Sequence, residues 1–221
     1  MPELAALETA AQKKTLIASE QDPVARATWR AATATIPAQT LIFLDETSTQ
    51  TVMTRRRARA PRGQRAVGRV PRNHGPNITC LAALTPTGIS VPLVFKGALD
   101  GDVFVTWVRE WLAPSLRPGT TVILDNLSVH KHQHARAAIE AVGGTVRFLP
   151  PYSPDCNPIE HAFAKLKTHL RGVAARDYDS LTTAIGDGLD RITPADAAAY
   201  YRHCGYHLPP HPPTQPQCNS L

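Results

Sequence analysis

Two periods of apolar spacing run along this chain. Six short runs rich in β-branched and apolar residues, each bounded by turn formers, predict buried strands at 40–45, 49–54, 77–84, 89–95, 120–125 and 145–149. Thr85-Pro86-Thr87-Gly88 predicts a hairpin turn between two of them, and Pro92 predicts an edge or bulged position. The spacing changes to the helical period over 24–34, with Asp22-Pro23 as cap and first turn and Trp29 facing inward. It does so again over 103–112, where Asp100-Gly101-Asp102 caps a helix whose core face is Phe104, Trp107, Val108 and Trp111. Further helices are predicted at 131–142, stopped by Gly143-Gly144, at 179–192 with Asp179 or Ser180 as cap, and from Thr193-Pro194 to about His203. Antiparallel strands first, then alternating α and β, then helices, is an α/β order that suits a mixed β-sheet flanked by α-helices.

One helix is announced by an unusual lead-in. Pro150-Pro151-Tyr152-Ser153-Pro154-Asp155-Cys156 excludes regular structure, and Asn157, Pro158 and Glu160 then suit the cap, first and third helical positions. Phe163, Leu166 and Leu170 continue the apolar stripe, and Gly172 can end it. Glu160 is either a capping-box carboxylate reaching back to Asn157 or an acid held in a fixed place by a stiff loop. Leu41-Ile42-Phe43-Leu44-Asp45 and Val122-Ile123-Leu124-Asp125 favour the second reading, because each apolar strand runs into a carboxylate. Such acids are costly to bury unless paired or metal-bound. Two aspartates and a glutamate form an oxygen donor set suited to Mg²⁺ or Mn²⁺. Strand alternation puts Glu46 on the face opposite Asp45, as a polar neighbour rather than a ligand.

Composition narrows the class. The 221 residues, 43% of them apolar, fit one domain with tails, and no apolar run is long enough for a membrane span. Cys80, Cys156, Cys204 and Cys218 lack paired spacing, and no secretory pattern opens the chain, so the expectation is a reduced, cytoplasmic protein. His130, His132 and His134, and His203-Cys204-x-x-His207, lack the spacing that completes a zinc site. The net charge of +6 is unevenly placed: between Glu46 and Asp100 there are nine basic residues and no acid. Arg55, Arg56, Arg57, Arg59, Arg62, Arg65, Arg69 and Arg72 supply eight of them, in a segment punctuated by Pro and Gly that predicts an exposed phosphate-binding loop or arm. Residues 1–38 are expected to be a helical lead-in, 39–205 the main domain, and 206–221 a proline-rich disordered tail.

Three motifs then occur in order: Leu44-Asp45-Glu46-Thr47; Leu124-Asp125-Asn126-x-Ser128-x-His130-Lys131; and Pro150-Pro151-Tyr152-Ser153-Pro154-x-x-Asn157-Pro158-Ile159-Glu160. Together, over roughly residues 23 to 205, they resemble the DDE domain of Tc/mariner-type transposases, nearest to the bacterial insertion sequence 630 family. The thirty-four residues between Asp125 and Glu160 match that resemblance. It implies an RNase H-like fold in which the strands carrying Asp45 and Asp125 are neighbours. It also implies two Mg²⁺ or Mn²⁺ ions held by Asp45, Asp125 and Glu160, with Asp45 between them, and cleavage and strand transfer on double-stranded DNA at transposon ends and target. Asn126, His130 and Asn157 would lie near the site, and Lys131 with the arginines would contact DNA. A homodimer on DNA, in the bacterial cytoplasm and on the nucleoid, is the expected setting. Too few residues precede position 23 for the family's helix-turn-helix region, so a separate N-terminal DNA-binding polypeptide, or a truncated or frame-split product, is expected. The rivals are a nuclease of the same fold without strand transfer, an inactive DNA-binding remnant, and an unrelated α/β domain whose acids are only caps.

Overall fold

The computed structural model describes residues 18–73 and 75–209. Expectations for 1–17, the far tail from 210 and Cys218 lie outside the described residues. In chain order the elements are α1 (Pro23–Ala34), β1 (Leu41–Thr49), β2 (Ile78–Thr85), β3 (Gly88–Lys96) and α2 (Gly101–Trp107). A π turn (Val108–Leu112) and α3 (Ala113–Ser115) follow, then β4 (Thr121–Leu124), α4 (Gln133–Ala141), β5 (Thr145–Phe148), α5 (Ile159–Val173), α6 (Tyr178–Asp190) and α7 (Pro194–His203). The five strands form one sheet in the order β3-β2-β1-β4-β5. β1, β2 and β3 are antiparallel, while β1, β4 and β5 are parallel. This is the mixed, helix-flanked sheet that the chain order predicts.

Each face of the sheet has its own core. Leu41 and Phe43 point to α5, α6 and α7, where Phe163, Leu166, Leu170, Ile185 and Tyr201 pack. Leu44 points to the other face, against Phe104, Trp107, Val108 and Ile139. Two-residue alternation along β1 therefore sends Asp45 toward the α5 side and Glu46 toward the α4 side.

Several predicted elements are corrected. Residues 49–54 do not form a separate strand; β1 instead runs through Thr49, which pairs with Ile78 of β2. Asp45 therefore lies in the middle of a nine-residue strand rather than at its end. Trp111 is 49% exposed, not core, because the π turn shifts the register of the helical face, while Trp107 stays buried and donates its indole N–H to the Val91 carbonyl at 2.9 Å. Asp100 caps α2 and Asp102 does not. The predicted helix from Lys131 begins at Gln133, after a short 3₁₀ turn over Val129–Lys131, because His132 takes extended backbone. α5 passes through Gly172 and ends at Ala174, which adopts the left-handed conformation. α6 is capped by Asp177, not by Asp179 or Ser180. Tyr206, expected in the tail, is buried and donates to the Cys156 carbonyl at 2.7 Å, so packing continues past residue 205. Other expectations hold. Asp22 caps α1, Thr193 and Asp196 form a capping box on α7, and Pro92 lies on edge strand β3 beside Val91, which has φ 43° where the β2–β3 register shifts.

Candidate active site

The parallel pairing of β1 with β4 explains how acids eighty residues apart meet. The ladder runs Leu41–Thr121, Ile42–Val122, Phe43–Ile123 and then stops. Two residues on, Asp45 and Asp125 lie past that end, where β4 has finished and β1 continues alone beside β2. Glu160 enters from the first turn of α5. All three line one cavity of about 500 Å³, whose far wall is Pro150–Pro154. Asn126 and Asn157 line it too, so every predicted near-site residue except His130 faces this space.

Asn157 does not cap α5. Its amide Nδ2 donates to Asp45 Oδ2 at 2.9 Å, across 112 residues, while its backbone N–H goes to the Pro154 carbonyl. The capping-box reading of Glu160 therefore fails: no side chain caps α5, and the exposed carboxylate faces the cavity. Asn126 donates to the Leu149 carbonyl, tying the end of β4 to the end of β5. The proline loop is clamped from outside by residues that the motif left unassigned. Asp155 takes both nitrogens of Arg26, at 2.8 and 2.6 Å, and one from Arg30 at 3.0 Å. The hydrogen bond from Arg26 holds the Asp155 carboxyl below its usual range. A stiff loop fixed at both ends delivers Glu160 with little conformational freedom to lose.

His130 is 3% exposed and packs on the Phe104 ring at 5.0 Å. Its Nδ1 lies 2.6 Å from Asp125 Oδ1, and its Nε2 lies 3.2 Å from Glu46 Oε2, an ion-pair distance without hydrogen-bond alignment. Burial opposes charge on the imidazole, but the hydrogen bond to Asp125 and the contact with Glu46 outweigh it and raise its pKa to about 9. Burial likewise opposes ionisation of Asp125, and His130 together with the Leu127 N–H reverses that, lowering its pKa. Glu46 therefore belongs to the site through His130, although it points to the opposite face from Asp45. Alternation along β1 correctly separated the two acids but concealed this link, and no local signal in the sequence carried it. Lys131 is exposed, and its charge also favours ionised Asp125.

Asp45 is the most strongly perturbed acid of the cavity. Burial, and then repulsion from Glu46, Glu160 and Asp125, push its pKa up to about 8. The Oδ1 atom of Asn157 is buried without a hydrogen-bond partner. A hard cation would relieve both, so the oxygen donor set fits Mg²⁺ or Mn²⁺. Among the described residues, no three acidic, histidine or cysteine side chains are gathered tightly enough to form a finished cage. Uncompensated carboxylates repel, and each aspartate turns to a local donor: Asp125 to His130, Asp45 to Asn157. Both hydrogen bonds to Asp125 fall on Oδ1. The predicted arginines, from Arg55 to Arg72, lie outside regular structure and are exposed, so they form a loop distinct from this cavity.

Comparison with known proteins places this arrangement. The Tc1 transposase of Caenorhabditis elegans is 30% identical over 79 residues, which are 36% of this chain and 29% of that protein. The crystal structure of a pre-cleavage Mos1 transpososome superposes with a TM-score of 0.71 at 13% identity, covering 90% of this chain and 64% of that one. The catalytic domain of Mos1 mariner transposase gives 0.60 at 10% identity, covering 87% and 92%. These superpositions establish an RNase H-like fold. The family model described as DDE superfamily endonuclease matches residues 40–182, from the start of the strand that bears Asp45 to beyond the helix that bears Glu160, and the chain belongs to that family.

Proposed function

We propose that this chain is a transposase catalytic domain of the Tc/mariner type, in the bacterial insertion sequence 630 branch, that cuts double-stranded DNA and joins the freed end to a target. The observation that carries the reading is the meeting of Asp45, Asp125 and Glu160 in one cavity of a DDE-family chain. Among the Mos1 structures of the same fold are a strand transfer complex and paired-end complexes with Mn or Mg. The motif Pro150-Pro151-Tyr152-Ser153-Pro154 followed by Asn157-Pro158-Ile159-Glu160 supports the branch.

Asp45, Asp125 and Glu160 would hold two Mg²⁺ or Mn²⁺ ions. When bound, such ions lower the pKa of water and offset charge on the leaving oxygen. Asn157 keeps the Asp45 carboxylate aimed into the cavity, and His130 holds Asp125 between Glu46 and the cavity. In the cleavage step a water oxygen bonds to phosphorus, the bond from phosphorus to the 3′ oxygen breaks, and that oxygen leaves as a 3′-OH. In the joining step the 3′-OH attacks a target phosphodiester and a second 3′-OH is released. No covalent link to the protein is needed. A homodimer on DNA completes the proposal.

The test is a nicking assay on supercoiled plasmid in Mn²⁺ against EDTA, followed by strand transfer from a precut duplex end. Wild type should act in both, and Asp125→Asn and Glu160→Gln should lose both while retaining the wild-type circular-dichroism spectrum. Nicking without joining would select the plain nuclease, and an active Glu160→Gln variant would remove the assignment.

A further inference from the structure

We infer that the flank of α5 bearing Glu160, Lys167 and Arg171, with Arg55, Arg56 and Arg57 beside it, is a phosphate track holding duplex DNA three to five base pairs to one side of the cut; this rests on the function proposed above. α5 buries Ile159, Ala162, Phe163, Leu166 and Leu170. With 3.6 residues per turn, Glu160, Ala164, Lys167 and Arg171 share a second stripe, on the flank of the helix about 110° round from that apolar face. The acid that faces the cavity and two cations thus lie along one edge of one rigid element.

Two hollows meet on that edge. One, of about 960 Å³, is walled by Arg55, Arg56, Arg57, His169 and Arg171. The other, of about 530 Å³, is walled by Arg56, Asn77, Lys167 and Arg171. Arg56 and Arg171 line both, so the two hollows lie side by side along α5. Arg55 lies over the helix: a Cβ added at Gly172 would stand 3.7 Å from its Nη2. The base of the arginine segment is anchored, because Arg176 Nη1 donates to the carbonyls of Thr51 at 2.8 Å and Met53 at 3.0 Å. Among the described residues, Arg55, Arg56, Arg57, Lys167 and Arg171 have no carboxylate within ion-pair distance; Lys165, paired with Asp196 at 2.6 Å, is the exception on this wall. Surface charge kept for solubility mixes its signs. With Arg191, which also lines the first hollow without an ion pair among the described residues, six such cations around these two hollows match a polyanion instead, and the guanidinium forks match phosphate oxygens.

Helix geometry sets the register. Lys167 is seven residues and Arg171 eleven residues beyond Glu160, about 10 and about 16 Å at a rise of about 1.5 Å per residue. At about 3.4 Å per base pair these distances are about three and about five pairs.

The experiment measures binding of a random duplex of about 30 base pairs as salt is raised, in EDTA, so that cleavage plays no part. Each lost phosphate contact lowers the slope of log K against log salt by about 0.9, so Lys167→Gln with Arg171→Gln should lower it by about 1.8. Arg109→Gln, on the opposite face of the sheet, should leave the slope unchanged, and Lys167→Arg with Arg171→Lys should restore it. An unchanged slope in a glutamine double variant that melts like wild type overturns the track. Equal competition by duplex RNA overturns its assignment to DNA. A lowered slope in a protein that never nicks DNA would keep the track and sink the catalytic reading, whereas nicking with an unchanged slope would do the reverse.

Discussion

Replacing Asp45 with Asn should stabilise the metal-free protein, and by an amount that depends on pH. Asp45 has a pKa of about 8 in the fold, first from burial and then from Glu46, Glu160 and Asp125, against 3.8 as its ordinary value. The sign follows from linkage. A carboxyl whose pKa is raised on folding costs nothing below its unfolded pKa, and destabilises increasingly as pH rises from there toward the folded value. At pH 7 the gap spans about three pH units, or about 4 kcal/mol at 1.36 kcal/mol per unit, and at pH 5 about 1.5 kcal/mol. These are upper bounds, since the side chains around the cavity relax. An amide at this position cannot ionise. It keeps an oxygen for the Glu46 N–H, which now donates to Asp45 Oδ1 at 2.8 Å. Its NH₂ would meet the NH₂ of Asn157, but Asn157 can rotate, because its own Oδ1 has no partner to lose. With about half the bound realised, the gain is about 2 kcal/mol at pH 7, or about 4–8 °C in Tm for a chain of this size. Melting curves in EDTA at pH 5 and pH 7 measure it, and adding Mn²⁺ should then raise the wild-type Tm but not that of the variant. A variant less stable than wild type at pH 7, or one whose advantage grows as pH falls, would refute the reasoning.

Tyr201→Phe removes a fully buried hydroxyl that donates to the carbonyls of Leu41 at 2.7 Å and Leu84 at 3.1 Å, so denaturant unfolding should show a loss of about 1–2 kcal/mol. Gly188→Ala puts a Cβ 2.5 Å from Leu166 Cδ1 and 3.0 Å from His169 Cδ2 at the packed contact of α5 with α6, and should cost about 1–3 kcal/mol in the same assay. Asp196 has its pKa lowered to about 2, first by the hydrogen bond from Lys165 and then by the Thr193 N–H and hydroxyl. Its contribution is present above about pH 4 and disappears as pH falls through about 2. Asp196→Asn should therefore lose about 0.5–1 kcal/mol at pH 7 and nothing near pH 2, read from Tm against pH.

Elements governed by near neighbours were legible in the chain. Asp22-Pro23 and Thr193-Pro194 open helices at the predicted residues because capping depends on three or four adjacent positions. The misreadings fall where a distant partner outweighs a local preference. Asn157 is a good cap by type, yet a buried carboxylate at Asp45 takes its amide. Gly172 is a good helix stop, yet α5 continues because Leu170 and the helix around it are packed against the sheet and α6. The run at 49–54 has strand propensity, yet no strand lies beside it once β1 has paired with β2 as far as Thr49.

The site divides in the same way. That Asp45, Asp125 and Glu160 are candidates for one site could be read from three motifs, and the fold brings all three to one cavity. That Glu46 reaches Asp125 through His130, and that Arg26 and Arg30 of α1 clamp the proline loop, could not be read. Periodicity is a property of neighbours in the chain and survives in one dimension. Compensation of buried charge acts through space over a few ångströms, so which donor meets which acid was decided only when the parallel pairing of β1 and β4 brought the two ends together.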